Sequence, residues 1–295
     1  MSQDTGLSIL AVHAHPDDEA SKGAGTIRRY ADEGIRTTLV CCTGGEEGDI
    51  LNPAMDRPEV SQNLEEVRRA ELDASAAVIG YDEVVMLGYR DSGMPDAEAN
   101  SRADAFANAD LDEAVARLVT VIRRVRPQVI LTYPLVQSRY PHPDHLQVTA
   151  ICVPAFAHAG EAAWRPECGP PFTPMKMYAP VWSHKRMQLT HQAFLDLGLE
   201  SPFDEKWLGR PGRDDRITAV IEVDNAVRRK ALLAHATQVD PDSPFWFGLS
   251  DDVADTVHPY EEFMLLESRI STEQMEHDLF AGLRTSGPLS SGLSV

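Results

Sequence analysis

Positive charge is scarce in this 295-residue chain: 27 Lys and Arg stand against 46 Asp and Glu, a net charge of −19. Such a chain repels phosphate backbones and anionic lipid heads, which argues against nucleic acid or a membrane surface as its partner. Long apolar runs are missing too. The first, residues 7–12, is too short for a spanning helix or the hydrophobic part of a signal peptide, and no basic segment precedes it. A cytoplasmic protein is expected. Cysteine is sparse, and Cys41, Cys42, Cys152 and Cys168 show no C-x-x-C spacing; a disulfide framework and Cys-ligated zinc are disfavoured, and the adjacent Cys41 and Cys42 read as buried thiols. No internal repeat occurs. No G-x-G-x-x-G turn follows the first apolar run, which removes the signature of a dinucleotide-binding oxidoreductase.

What is present is a regular alternation. Short apolar runs at residues 7–12, 37–42, 83–88 and 129–133 read as buried parallel strands. Amphipathic segments lie between them: 25–33 before Gly34, 63–79 before Gly80, and 111–125 before Pro127. Repeated strand–helix–strand units predict an α/β, Rossmann-like, doubly wound and mainly parallel sheet. Pro166, Pro170, Pro171 and Pro174 mark a connection. Beyond it, strands near 175–183 and 218–223 and a helix near 226–236 are expected to form an α+β subdomain covering the crevice. The expected division is a catalytic core at 1–168, a substrate-pocket subdomain at 169–284 and a flexible, Ser- and Gly-rich tail at 285–295.

In such a sheet, ligands bind at the carboxyl ends of the strands flanking the point where strand order reverses, here the first and fourth. Those two strands lead into His13-Ala14-His15-Pro16-Asp17-Asp18-Glu19 and Tyr140-Pro141-His142-Pro143-Asp144-His145. Asp17 and Asp18 by themselves suit a helix N-terminus, where carboxylates are stabilised by the dipole. Two histidine- and aspartate-rich loops brought face to face point instead to a metal. His15, Asp18 and His145 make a set of two histidines and one carboxylate that leaves positions for water and a carbonyl; it suits Zn2+ and Fe2+ alike. Asp17 would then point elsewhere, free to act as a base.

These motifs resemble the LmbE-like family of zinc-dependent amide hydrolases, also called the N-acetylglucosaminyl-phosphatidylinositol deacetylase family. The run from Cys42 to Met55, Arg68-Arg69-Ala70-Glu71, Arg90-Asp91-Ser92-Gly93 and Ala234-His235-Ala236-Thr237-Gln238 resemble its branch acting on mycothiol S-conjugates. Segments 96–112 and 135–139 depart from that branch. The resemblance implies a small-molecule substrate, a pseudo-disaccharide thiol conjugate, cleaved at its glucosaminyl amide; the family's alternative is deacetylation of N-acetylglucosaminyl-inositol or of a related natural product. It further implies His15, Asp18 and His145 as metal ligands and Asp17 as general base. His142 would stabilise the oxyanion or donate a proton, oriented by Asp144, and Tyr140 would polarise the carbonyl. Lys22 would lie near the cysteinyl part, with Arg68 and Asp91 on the sugar hydroxyls.

His13 reads as packed or supporting. His235 and Gln238 lean toward the pocket. Phe245, Trp246 and Phe247 read as packing, and His158, His184, His191, His258 and His277 as solvated.

Overall fold

The computed structural model describes residues 5–137, 140–209, 212 and 214–284; the tail expected at 285–295 lies outside them, as do residues 138 and 139 of the divergent 135–139 segment. In chain order the regular elements are β1 (Ser8–His13), α1 (Asp18–Ser21), α2 (Ala24–Asp32), β2 (Arg36–Thr43), α3 (Pro58–Ser61), α4 (Leu64–Ile79), β3 (Glu83–Tyr89), α5 (Leu111–Val125), β4 (Val129–Leu131) and α6 (Pro143–His158). There follow β5 (Lys176–Val181), α7 (His184–Asp196), α8 (Glu205–Leu208), β6 (Ala219–Glu222), α9 (Asn225–Ala234), α10 (Pro244–Phe247), α11 (Asp251–Val257) and β7 (Tyr260–Ser268). No described helix is long and apolar enough to cross a membrane.

The strands form one seven-stranded sheet in the order β3-β2-β1-β4-β5-β7-β6. All pairings through β5 are parallel, whereas β7 runs antiparallel to both β5 and β6. The order reverses between β1 and β4, as the alternation of elements predicts. The three C-terminal strands extend this same sheet. Both faces are covered, which explains why the strands read as continuous apolar runs. Leu10, Val12, Val40 and Ile130 pack with the buried face of α5 and α6, while Ile9, Ala11, Leu39 and Leu131 pack with α2, α4 and α9.

β7 escapes sequence patterning because of Glu261 and Glu262, which look like a solvated pair but are buried. Glu261 accepts from the backbone N–H groups of Gly25 and Thr26, capping α2 from across the sheet; Glu262 accepts from Ser183 N and meets His258 Nε2 at 3.2 Å. His258, expected in solvent, is therefore buried, held by that carboxylate.

One side chain fixes the helix that carries the second motif. Arg123 on α5 is buried and donates to six carbonyls, those of His158, Ala159, Glu161, Trp164, Arg165 and Gly169, where α6 ends and the chain turns back. Arg123→Met should lower stability by about 3 kcal/mol or more, since several buried carbonyls lose their donor together. Arg123→Lys should rescue little, because an ammonium lacks the planar fork of donors. Thermal unfolding of the three proteins checks this.

Candidate metal centre and active site

Every strand from β1 to β4 delivers residues to one crevice at its carboxyl end. β1 runs into His15, Asp17 and Asp18; β2 into the loop of Glu47, Gly48 and Asp49; β3 into Asp91 and Gly93; β4 into Tyr133, with His142 and His145 following at the start of α6. α6 begins there because His142 caps it, its Nδ1 accepting from Asp144 N at 3.2 Å, and Pro143 occupies the first turn, where no N–H is needed.

His15, Asp18 and His145 are buried, and one ligand atom from each falls within 4.8 Å of the others. His15 Nδ1 and His145 Nε2 lie 3.5 and 3.4 Å from the same oxygen, Asp18 Oδ2. This donor set, two buried imidazoles and a buried carboxylate converging at one point of the crevice, fits a tetrahedral or facial metal site. His15, Asp91 and His142 form a second such convergence that shares His15.

The set is braced from outside. Tyr133 donates to Asp18 Oδ2 at 2.6 Å, accepts from Ala14 N, and stacks on His145 with centroids 4.3 Å apart. Asp144, fully buried, accepts from the Ser92 hydroxyl and from Ser92 N, and meets His15 Nε2 at 3.2 Å. Its carboxylate thus holds His15, whereas the sequence reading has it orienting His142; only its backbone N–H reaches that ring. That contact leaves Nε2 of His142 as the nitrogen that carries a proton in the neutral ring, directed to the crevice.

Charges in the cluster are strongly displaced. Burial, with His15 and His145 nearby, pushes the pKa of His142 down to about 4. Burial also lowers that of His145, against the pull of Asp18. For Asp18 burial is outweighed by Lys22, His145 and His15, which hold the carboxyl well below its usual range. A neutral His145 beside an ionised Asp18 is the state that ligation requires; His15 goes the other way, its pKa raised well above the ordinary value, against burial, by its contacts with Asp144, Asp18 and Asp91, so a metal bound there would displace its proton.

Asp17 sits differently. Its side chain is 31% exposed to the crevice, its backbone adopts φ 118°, and its N–H donates to Glu19 Oε2 at 3.0 Å. Burial of its surroundings raises its pKa, with Arg68 opposing and Asp18 adding to the rise. Arg68, expected on sugar hydroxyls, is 2% exposed and spends its donors beneath the site, on Gly45 O, Pro16 O and, at 3.0 Å, Asp17 Oδ2. A Cβ at Gly45, whose φ is +69°, would collide with that guanidinium. Asp91, likewise expected on sugar hydroxyls, is buried, accepting from Gly93 N at 2.8 Å and lying 3.5 Å from His15 Nε2. Lys22 lines the crevice and pairs with Asp18. Tyr140 is 54% exposed, its ring over His142 at 6.0 Å.

His13 is buried, edge-on to Tyr133, with its pKa lowered to about 4 by burial; it packs, as read. Gln238 reaches the crevice, but His235 is fully buried on Glu19, Nε2 to Oε1 2.6 Å. Glu19, Ser92 and Tyr133 carry no role in the sequence reading. Glu19 and Ser92 stand inside motifs whose neighbours draw the attention, and Tyr133 reads as the end of a strand.

Taken with the chain's sequence relatives, fold and site define a hydrolase of linear amides. Residues 10–156 match the family described as PIG-L: GlcNAc-PI de-N-acetylase, and the chain belongs to it. It is 41% identical over 290 residues to a mycothiol S-conjugate amidase of Streptomyces coelicolor, covering 94% of this chain and 98% of the relative. It is 39% identical over 290 residues to a 1D-myo-inositol 2-acetamido-2-deoxy-alpha-D-glucopyranoside deacetylase of Streptomyces avermitilis, covering 93% and 97%. In fold it is similar to the N,N'-diacetylchitobiose deacetylase from Pyrococcus horikoshii, with TM-score 0.60 and 17% identity over 90% of this chain and 87% of that one.

Proposed function

We propose that the protein hydrolyses the amide joining glucosamine to the N-acetylcysteinyl residue of mycothiol S-conjugates, releasing glucosaminyl-inositol and an N-acetylcysteine S-conjugate, a detoxifying reaction. The observation that carries this reading is the crevice. Its volume is about 840 Å3, and it runs on past the histidine cluster along Pro180, Val181 and Trp182. A departing acetyl group fills only a corner of such a space, whereas a substituted cysteinyl group needs it. On this reading residues 1–168 supply the reacting groups and 169–284 the far wall. Deacetylation of N-acetylglucosaminyl-inositol is the second reading, favoured by the similarity to the Streptomyces avermitilis deacetylase.

His15, Asp18 and His145 would hold the ion, zinc or ferrous iron. Bound there, it supplies polarisation of the scissile carbonyl and acidification of water. Asp17 takes the proton of the attacking water and later passes it to the departing glucosamine nitrogen, a role that its partial exposure and raised pKa support. Arg68 and Glu19 hold Asp17 from its side-chain and backbone sides. The Nε2–H of His142 donates to the carbonyl oxygen as negative charge develops, and the Tyr140 hydroxyl polarises the same oxygen; such donors are worth about 3 kcal/mol each. Asp144 keeps His15 in place, and Lys22 meets the cysteinyl part.

Turnover of a mycothiol bimane conjugate and of N-acetylglucosaminyl-inositol, measured on one metal-loaded preparation, tests the reading. The conjugate should have the higher kcat/KM. A strong preference for the acetylated sugar would establish the second reading instead.

A further inference from the structure

The crevice has two chemically distinct ends. Around His15 and Asp18 it is lined by charged and imidazole groups. The other end is built by chain that follows β5: Val181 and Trp182 at the strand's carboxyl end, Trp207 on α8, Leu232 on α9, and Phe245 and Trp246 on α10. None of these six carries an ionisable group. The rings meet in fixed geometry. Trp182 and Phe245 stack with centroids 5.5 Å apart and planes 3° from parallel, and Trp246 stands edge-on to both, at 6.0 and 4.7 Å. Arg186 lies over Trp182, its guanidinium carbon 4.2 Å from the ring centroid, which restrains the indole from one side.

Packing alone does not account for this wall. Trp182, Phe245 and Trp246 are only partly buried, and Trp207 is 38% exposed. Trp182 and Phe245 also border a second cavity of about 60 Å3, so close-packed core does not enclose them. Several partly exposed aromatic rings beside a polar reaction centre make an apolar surface that water covers at a cost and a ligand covers with gain. Flat ring faces select flat partners, because offset stacking and edge contacts add to simple burial.

We propose that this aromatic arm is the subsite for the group carried on the substrate's sulfur, and that it selects planar, apolar substituents. The proposal rests on the S-conjugate reading above. The scissile carbonyl at the histidine cluster and the sulfur substituent lie on the same acyl side of the amide, so a substrate whose carbonyl reaches His142 extends its substituent along Val181 and Trp182. The sugar then remains at the polar end.

Two conjugates that differ only at sulfur, S-methyl and S-(2-naphthylmethyl), test the arm with the metal-loaded enzyme. In the wild type, kcat/KM for the naphthylmethyl conjugate should exceed that for the methyl conjugate by about tenfold to a hundredfold, the value of burying one ring system. In Trp182→Ala and in the milder Phe245→Leu that ratio should collapse toward unity, with metal content unchanged as the check on folding. A ratio near unity in the wild type, with both conjugates cleaved, overturns the subsite and leaves the amidase reading standing. Should neither conjugate be cleaved while the acetylated sugar is, the amidase reading fails, and the arm is judged by quenching of tryptophan fluorescence with S-(2-naphthylmethyl)-N-acetylcysteine. Saturable quenching that weakens in Phe245→Leu supports the arm; its absence overturns it.

Discussion

Asp17→Asn should lower kcat by about 100- to 10,000-fold, the usual contribution of a positioned general base, while leaving metal content at the wild-type level. The substitution is a clean one for this position. Asp17 holds φ 118°, where asparagine is as well tolerated as aspartate, and its N–H still reaches Glu19. Arg68 keeps its bonds to Gly45 O and Pro16 O and exchanges a carboxylate for an amide oxygen. What is removed is the ability to accept a proton, together with the charge that faces Arg68. The acid limb of the pH–kcat profile, where the wild type loses activity as Asp17 becomes protonated, should disappear with it. Near-normal turnover at full metal occupancy would remove Asp17 from the base role and pass it to another group of the crevice.

His145→Ala should abolish both activity and metal binding, and it separates ligand from brace. Losing a partner that merely orients a ligand costs roughly 10- to 100-fold in metal affinity; removing one of three protein ligands should cost more than that. Tyr133→Phe supplies the comparison, since Tyr133 touches Asp18 and the His145 ring without offering a ligand atom in the cluster. Its phenylalanine form still stacks and should bind metal about 10- to 100-fold more weakly with activity restored at saturating metal. Equilibrium dialysis against a metal buffer, followed by metal analysis, measures both. If His145→Ala retained a full equivalent at wild-type affinity, the ion would have to sit in the alternative set of His15, Asp91 and His142.

Much of this protein was legible before any coordinates. The helix at 111–125 coincides with α5, and the helices ending at Gly34 and Gly80 close as expected, with those glycines at φ 78° and 93°. β7 was not legible, because its buried glutamates owe their burial to partners on α2 and beside α7. In the site, H-A-H-P-D-D and H-P-D-H announced the ligands; they did not announce that Asp144 would serve His15, that Arg68 would lie beneath Asp17, or that Phe245 and Trp246 would face the crevice.

The sheet class, the two strand ends that meet and the residue types that converge there can be read from the chain directly, since they depend on periodicity and on chemistry carried within a few residues. Which carboxylate braces which imidazole, how Asp17 is held, and what lines the far end of the crevice follow from contacts between segments far apart in the chain. Glu19 finds His235 across 216 residues of chain, and Trp182 finds Phe245 through the packing of α10 beside β5. Such partnerships are set by the close packing of distant segments, where burial forces each polar group to find a donor or acceptor and each ring to find a face.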